Sequence, residues 1–297
     1  MAVAGETVAA PAPPRTRLLG AERVNLVYWA LVLVPLVVLV VFYIYPLSRV
    51  LLISVTEPRL GFGNYVRIVE STGVRRVIWT TTWICLVTST LSLVLGYLLA
   101  YAILHMRSGW QTWMMVGVLL SFWVSILIRA FAWITLLQTR GLVNNFLLDA
   151  GLISQPLALI RNELGVIIGM VHYMVPYAAL PLLASMRSID ARLVPAARGL
   201  GARPLQGFLY VYLPLSLPGI IAASILVLIF SLGFFVTPAL LGGGRVIMLA
   251  EYIALQVNET LAWGLGTALA SSMLITVFLM LVVLARAVSF RRLFGAA

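Results

Sequence analysis

The side chains that could carry chemistry are few and lie far apart in this sequence of 297 residues. There is one cysteine, Cys85, and the two histidines, His105 and His172, are 67 residues apart in different apolar stretches. A single cysteine excludes an internal disulfide and a zinc site built of cysteines, and a histidine-based metal site would need carboxylates that these stretches do not offer. With no cluster of His, Asp, Glu or Ser, the sequence predicts neither an enzyme nor a metal or cofactor site in this chain.

The basic residues also exclude a nucleotide site. All 20 basic side chains are arginines, and the chain contains no lysine. The phosphate-binding loop of many ATPases has the pattern Gly-x-x-x-x-Gly-Lys-Ser/Thr, in which the lysine contacts the phosphates. Because that loop cannot be formed here, we do not expect ATP hydrolysis in this chain.

Arg129 is the charged residue that most needs an explanation. It is the only ionised side chain inside the six apolar stretches described below, and it lies about 12 Å from the outer end of its predicted helix. A charge at the centre of a bilayer costs at least about 2.5–3.5 kcal/mol. We therefore predict that Arg129 faces a transport pathway or forms a gate, with Asp149, Glu251 or Glu259 as its partner. The alternative is that its long side chain extends to the outer membrane surface.

Aromatic and polar residues of three apolar stretches complete a predicted substrate pathway. Aromatic rings can hold an ammonium group by cation–π attraction, and they can equally be packing residues. A neutral, hydrogen-bonded packing role is the other interpretation of His172. Thr237 and Pro238 predict a break in the fifth helix near its outer end. The predicted pathway residues are Arg129, Trp133, His172, Tyr173, Phe234, Phe235 and Thr237.

The composition shows what must position these residues. The chain is 62% hydrophobic and only 10% charged, with a mean hydropathy of +1.07, whereas soluble domains carry about 25% charged residues. Apolar runs of about 20 residues can cross roughly 30 Å of hydrocarbon, and in lipid such runs must be helices because no period-two pattern predicts a barrel. We predict an all-α polytopic membrane bundle with six transmembrane helices, at residues 27–47, 77–104, 113–137, 164–186, 215–241 and 262–285.

The arginines predict the orientation of this bundle. With both termini in the cytoplasm, the inside segments hold eleven arginines and three carboxylates, and the outside segments hold eight arginines and six carboxylates. The stronger positive excess lies inside, as the distribution of Lys and Arg in membrane proteins requires. Because the charges are spread over many segments, no nucleic-acid partner is expected. The predicted organisation is a disordered cytoplasmic tail at 1–26, a transmembrane domain at 27–285 and a cytoplasmic tail at 286–297.

The inside loop between the fourth and fifth spans, residues 187–214, has the composition of a folded segment. Pro195, Ala196 and Ala197 can open a short helix, and Gly201 can end it in the left-handed conformation. Pro204 then begins a second helix that runs into the fifth span. Small side chains allow another protein to approach closely, although a simple amphipathic connector is the alternative.

This loop resembles the EAA loop of ABC importer permeases, whose pattern is Glu-Ala-Ala, three residues, Gly, nine residues and Ile-x-Leu-Pro. Pro195 stands where the family has Glu, and Val211 replaces Ile. Further stretches resemble the spermidine/putrescine branch of the family, namely Gly63-Asn64-Tyr65, residues 123–133, residues 141–144 and residues 233–243. The residues that the resemblance assigns to coupling with an ATPase are Pro195, Ala196, Ala197, Arg198, Gly201, Val211, Leu213 and Pro214.

The resemblance implies a function and a set of partners. The chain would be a permease subunit in the bacterial inner membrane, forming half of a pathway for a polyamine or a related small organic solute. It would pair with a second homologous permease and dock on two copies of a cytoplasmic ABC ATPase that bind ATP and Mg. A periplasmic or lipid-tethered binding protein would deliver the solute to the outer face.

Two other classes of membrane protein would need features that differ from those of this chain. A self-contained secondary transporter is the alternative function, but its ion-coupling sites would require several carboxylates within the membrane. A membrane-embedded enzyme would require a clustered catalytic constellation. The predicted spans offer neither feature.

Overall fold

The computed structural model describes the backbone of residues 18–294 and the side chains of residues 28–282 and of Arg286. Of the predicted N-terminal tail, residues 1–17 lie outside this part of the chain, as do the last three residues of the predicted C-terminal tail. The first helix begins at Leu18 and the last ends at Phe294. Part of each predicted tail is therefore helical, because the terminal spans continue beyond their apolar cores.

Residues 18–294 form α-helices joined by turns and short extended segments. The helices are α1 (Leu18–Leu39), α2 (Tyr45–Thr56), α3 (Gly63–Glu70), α4 (Thr72–His105), α5 (Ser108–Trp123), α6 (Ile126–Leu137), α7 (Leu142–Asp149), α8 (Glu163–Arg187), α9 (Leu193–Gly199), α10 (Pro204–Gly207), α11 (Leu213–Leu232), α12 (Val236–Gly242), α13 (Leu249–Asn258) and α14 (Trp263–Phe294). Two π-helical turns, Val40–Ile44 and Phe208–Tyr212, continue α1 into α2 and α10 into α11.

Six helical stretches of the described chain are long and apolar enough to cross a membrane. They are Tyr28–Thr56, Thr72–His105, Ile126–Asp149, Glu163–Arg187, Pro204–Leu232 and Trp263–Val282. The predicted all-α bundle with six spans is thus confirmed in class and number, although several boundaries differ.

The chain divides into two compact units, which meet in sequence between Leu52 and Ile53. In the first unit, every described side chain from residue 28 to 46 is exposed, and the exposed residues are mostly apolar. Such a surface is compatible with hydrocarbon as the solvent. The second unit contains the remaining spans and the buried core.

Three helices, α4, α8 and α11, pack together in the core of the second unit. Gly96 of α4 lies against Ala178 of α8, and Gly219 of α11 lies against Ser185 of α8. Small residues let helix backbones approach closely, which is how helices gain van der Waals contact in a lipid environment. Larger apolar side chains fill the core around these contacts, among them Ile84, Met170, Met174, Leu182 and Val227.

The third predicted span is interrupted, so the prediction of one helix over residues 113–137 is wrong. Helix α5 ends at Trp123, and α6 begins at Ile126. The two residues between them are extended, with ψ of 124° at Val124 and 138° at Ser125. Neither residue is Pro or Gly, so the local sequence gives no warning of the break.

The fifth predicted span is also interrupted, but at a different place from the one predicted. Helix α11 ends at Leu232 and α12 begins at Val236, so the break lies at Gly233 to Phe235 rather than at Thr237 and Pro238. Pro238 is the third residue of α12. Its missing N–H is harmless there, because the first N–H groups of a helix have no intrahelical acceptor.

The contact at Gly96 predicts opposite effects for two glycine-to-alanine changes. A methyl group on Gly96 would lie 2.7 Å from the Ala178 Cβ and 3.1 Å from the Ala179 backbone N, whereas one on Gly117 of α5 would have no atom within 4 Å. Alanine normally stabilises a helix interior by about 0.5–1 kcal/mol relative to glycine. We expect Gly117→Ala to be neutral or stabilising and Gly96→Ala to lower the free energy of unfolding by about 1–3 kcal/mol. Thermal unfolding of the purified protein measures both effects. A free energy of unfolding that is the same for Gly96→Ala as for the wild type would contradict the packing described.

Candidate functional site

Arg129 closes the gap between α5 and α6. Its Nη2 donates to the carbonyl of Ser121 and, at 2.8 Å, to the carbonyl of Val124. Its Nε lies 3.3 Å from the same Val124 oxygen, and its Nη1 lies 3.5 Å from the Ser121 Oγ. The last carbonyls of a helix have no intrahelical donor, and the guanidinium supplies donors to two such groups at this break.

Arg129 also lies on an aromatic ring. Its guanidinium carbon is 4.6 Å from the centroid of the Tyr173 ring, within the range of a cation–π contact. The carboxylate partners expected from the sequence, Asp149, Glu251 and Glu259, are not among its contacts. The positive charge is held by carbonyl dipoles and a ring face, because the side chain folds back toward the end of α5.

Five aromatic side chains form a cluster next to this cation. Tyr173 stacks on Tyr177 with ring centroids 5.4 Å apart and contacts Phe234 at 4.7 Å. Tyr177 in turn contacts Phe122 at 4.8 Å and Phe230 at 5.0 Å. Phe122 lies just before the first break, and Phe234 lies in the second. The aromatic cluster (Phe122, Tyr173, Tyr177, Phe230 and Phe234) therefore connects the two broken spans through α8.

Trp133 and His172 form a neighbouring pair. The indole Nε1 of Trp133 donates to His172 Nδ1 at 3.2 Å, and the two rings meet edge to face with centroids 5.5 Å apart. An N–H donor can bond this ring nitrogen only while the nitrogen is unprotonated. The hydrogen bond agrees with the interpretation of His172 as a neutral, hydrogen-bonded residue.

Two of the predicted pathway residues, Phe235 and Thr237, take no part in the hydrogen bonds and ring contacts described above. Phe235 is 43% exposed, and its ring takes part in none of the ring contacts that the described residues make. Thr237 is 4% exposed and packs with its methyl group against Gly169 of α8. The structure thus brings together Arg129, Trp133, His172, Tyr173 and Phe234 and separates the other two from them.

Sequence reasoning missed several residues of this site as pathway residues. Phe230 is four residues from a predicted member, Phe234, so the spacing could have identified it. Ser121 and Phe122 could not have been identified, because their positions depend on the break between α5 and α6.

The loop between the fourth and fifth spans forms two short helices. Helix α9 begins at Leu193, two residues before the predicted start, and Pro195 lies in its first turn. Gly201 follows the end of α9 with φ of +95°, which favours glycine. The backbone N–H of Ala202 donates to the carbonyl of Ala197 at 3.1 Å, as in a glycine-ended helix cap.

Helix α10 carries this loop into the fifth span. The backbone N–H of Arg203 donates to Gln206 Oε1 at 2.8 Å, which fixes the start of the helix at Pro204. A methyl group built on Gly207 would touch Val194 of α9 at 3.4 Å, so the two helices are in close contact. The chain then continues through the π-helical turn, which contains Val211, into α11, which begins with Leu213 and Pro214.

A cavity of about 520 Å³ lies between this loop and the ends of α4 and α8. One wall is aromatic: Tyr101 stacks on His105 with centroids 4.0 Å apart and meets Phe208 and Tyr212 edge to face. Side chains of α9, including Pro195 and Arg198, form another wall. Most of the predicted coupling residues on α9 are exposed, so they are accessible to another protein.

Glu251 caps α13 rather than pairing with Arg129. It is the third residue of α13, it is 8% exposed, and its carboxylate accepts from the Met248 backbone N–H. Its Oε2 has no hydrogen-bond partner among the described residues. Burial raises the pKa of Glu251 above the ordinary value for glutamate, and the Met248 N–H opposes that shift.

Comparison with known proteins gives a consistent result. Residues 92–295 match the family "Binding-protein-dependent transport system inner membrane component". The chain is 32% identical over 212 residues to the spermidine/putrescine transport system permease protein PotB of Haemophilus influenzae, covering 71% of this chain and 74% of the relative. It is 34% identical over 202 residues to PotB of Escherichia coli K12, covering 68% and 74% of the two chains.

Solved structures show the same fold. A chain of a bacterial alginate ABC transporter, in complex with an alginate pentasaccharide-bound periplasmic protein, superposes with a TM-score of 0.75 at 21% identity. The match covers 95% of this chain and 99% of the other. At this identity the likeness establishes the fold alone.

The raised pKa of Glu251 predicts a pH-dependent effect of Glu251→Gln. A carboxyl with a raised folded pKa contributes stability that is fully present below about pH 4.3, the unfolded value, and is lost as pH rises through the folded pKa. We expect the melting temperatures of the variant and the wild type to agree near pH 4 and the variant to be more stable at pH 7–8. Glu259→Gln, which removes an exposed carboxylate, is the control. If the difference in melting temperature between the Glu251 variant and the wild type were the same at every pH, that result would contradict a buried carboxyl with a raised pKa.

Proposed function

Because the chain belongs to the family of binding-protein-dependent transport system inner membrane components, and is therefore a multi-pass permease subunit of an ABC importer, we propose that its solute is a polyamine such as spermidine or putrescine or a related small organic solute. Two relatives that are 32% and 34% identical over about two thirds of this chain are spermidine/putrescine permeases. The self-contained secondary transporter that the sequence left as an alternative does not fit the family.

The aromatic cluster is the observation that supports a cationic solute. Its five rings lie where two spans are interrupted, and broken helices in membrane proteins are tolerated where the backbone is buried in protein or lines a water-filled cavity. Ring faces attract alkylammonium groups without a carboxylate. A polyamine, which has several ammonium groups, could move along such a surface with a small free-energy cost at each step.

The partners follow from the same proposal. A second homologous permease completes the pathway, and two copies of a cytoplasmic ABC ATPase bind ATP and Mg. A periplasmic or lipid-tethered binding protein delivers the solute, and the solved alginate transporter includes a periplasmic protein of that kind. The charge asymmetry of the loops supports an orientation with both termini in the cytoplasm.

The segment formed by α9, Gly201 and α10 is the proposed contact with the ATPase. Pro195, Ala196, Ala197, Arg198 and Gly201 lie on α9 or at its end, and Val211, Leu213 and Pro214 lie where the fifth span begins. Because α9 touches α10, which continues into α11, a displacement of α9 by the closing ATPase subunits is passed on to the fifth span. Rigid-body rocking of the packed helices then alternates access between the two sides of the membrane.

Reconstituted transport tests the proposed solute. The permease, its second permease, the ATPase and the binding protein are assembled in liposomes, and uptake of labelled spermidine and putrescine is measured with ATP inside. We expect uptake that requires ATP and the binding protein. ATP-dependent uptake of a neutral sugar in preference to either amine would contradict the proposed solute but not the permease function.

The conformation of Gly201 predicts a matched pair of coupling variants. Gly201 has φ of +95°, whereas Gly199 has no positive φ, and a methyl group on either residue would have no atom within 4 Å. A side chain in the left-handed region costs roughly 1–2 kcal/mol, so Gly201→Ala distorts the segment while Gly199→Ala does not. We expect Gly201→Ala to lower solute-stimulated ATP hydrolysis several-fold and Gly199→Ala to leave it unchanged. Membrane insertion of both variants is checked, and equal ATPase rates would contradict the coupling role of the Gly201 turn.

A further inference from the structure

The break between α5 and α6 creates a group of acceptors that is suited to a cation. The carbonyl oxygens of Ser121 and Val124 converge on one point, with the Ser121 hydroxyl beside them. Helix α5 is 16 residues long, and the partial negative charge of its C-terminal end lies at the same place. The Tyr173 ring face closes the site at 4.6 Å from the bound cation.

The cation that occupies this site in the structure is a side chain of the protein itself. Among the residues that the structure describes, Arg129 is held by neutral dipoles and a ring, without a carboxylate that would fix it by charge. It is half-buried, and it lies in the first turns of α6 on a long side chain. A primary ammonium group, which has three donors and no acceptor, can form the same contacts with the carbonyls, the hydroxyl and the ring.

We propose that the carbonyls of Ser121 and Val124 and the ring of Tyr173 form a binding site for an ammonium group of the solute, and that Arg129 occupies this site as a tethered cation when the solute is absent. The inference rests on the proposed polyamine solute. An arriving ammonium group displaces the guanidinium, which then moves away from the break. The broken helix keeps its carbonyls bonded in both states, because one cation replaces the other.

The position of Tyr173 connects this site to the rest of the cluster. Its ring lies against Tyr177 and Phe234, so a second ammonium group of the same molecule finds further ring faces close by. Displacement also removes the repulsion that a fixed guanidinium would exert on a cationic solute. Arg129 thereby selects for solutes that can replace a cation, since a neutral donor forms weaker hydrogen bonds to the carbonyls than an ionised one.

Chemical rescue of Arg129→Ala tests the proposed site. The assembled importer carrying this variant is placed in lipid nanodiscs, and its melting temperature is measured with n-propylammonium, ethylguanidinium or tetramethylammonium at equal concentration. We expect the variant to melt below the wild type, and both n-propylammonium and ethylguanidinium to raise its melting temperature by about 2–4 °C. Tetramethylammonium, which has no N–H donor, should not raise it. The wild type should respond much less than the variant, because n-propylammonium and ethylguanidinium must first displace the tethered Arg129.

Further variants separate an ammonium site from a simple helix cap. Arg129→Lys places an ammonium group at the break, so we expect it to melt close to the wild type, whereas Arg129→Met should melt lower. The double variant Arg129→Ala with Tyr173→Leu should lose most of the response to n-propylammonium. If ethylguanidinium alone rescues Arg129→Ala, or if Arg129→Lys is as unstable as Arg129→Met, Arg129 is a structural cap and the proposal is overturned. The lysine comparison remains decisive even where the alanine variant does not assemble.

The same measurements distinguish this inference from the proposed solute. Rescue by n-propylammonium together with transport of a solute other than an amine would retain the ammonium site and overturn the polyamine assignment. Transport of spermidine without rescue would retain the solute and overturn the site.

Discussion

The hydrogen bonds of the backbone at two interrupted spans are the constraint on which the rest of the structure depends. In hydrocarbon an unpaired carbonyl or N–H costs several kcal/mol, so a helix can be broken only where other groups satisfy its ends. At the first break the Arg129 guanidinium bonds the Ser121 and Val124 carbonyls. This single contact allows α5 and α6 to be separate helices, and it explains why an arginine is found within an apolar span.

The second break is stabilised differently. The N–H of Gly233 bonds the carbonyl of Ile229 at 3.4 Å, and that of Phe234 bonds the carbonyl of Ser231 at 3.2 Å, so the end of α11 is satisfied by local turns. Phe234 is buried and its ring lies on Tyr173. Because Arg129 lies on the same ring, both breaks meet at one residue of the continuous helix α8.

Helix α8 also joins the site to the loop that faces the proposed ATPase. It carries Tyr173 and Tyr177 in its middle and ends at Arg187, beside the cavity under α9. Close contacts at Gly96 and Gly219 fix it against α4 and α11. Because interdigitated helices of this kind move as bodies rather than deform, a change at either end of α8 reaches the other.

The sequence alone determined the number of spans, the helical class and the turn at Gly201, because each follows from local properties: the length of apolar runs, the demands of lipid on the backbone and the freedom of glycine at positive φ. The motif of the inside loop also identified the family. The sequence alone did not determine the break after Trp123, since neither Val124 nor Ser125 interrupts a helix by itself. It also did not determine the partner of Arg129, for which it predicts a carboxylate. Those features depend on residues brought together from α5, α6 and α8. Only the tertiary structure decided them, because the carbonyls at the end of α5 are bonded by a guanidinium from across the break, and the ring that lies on this guanidinium comes from α8.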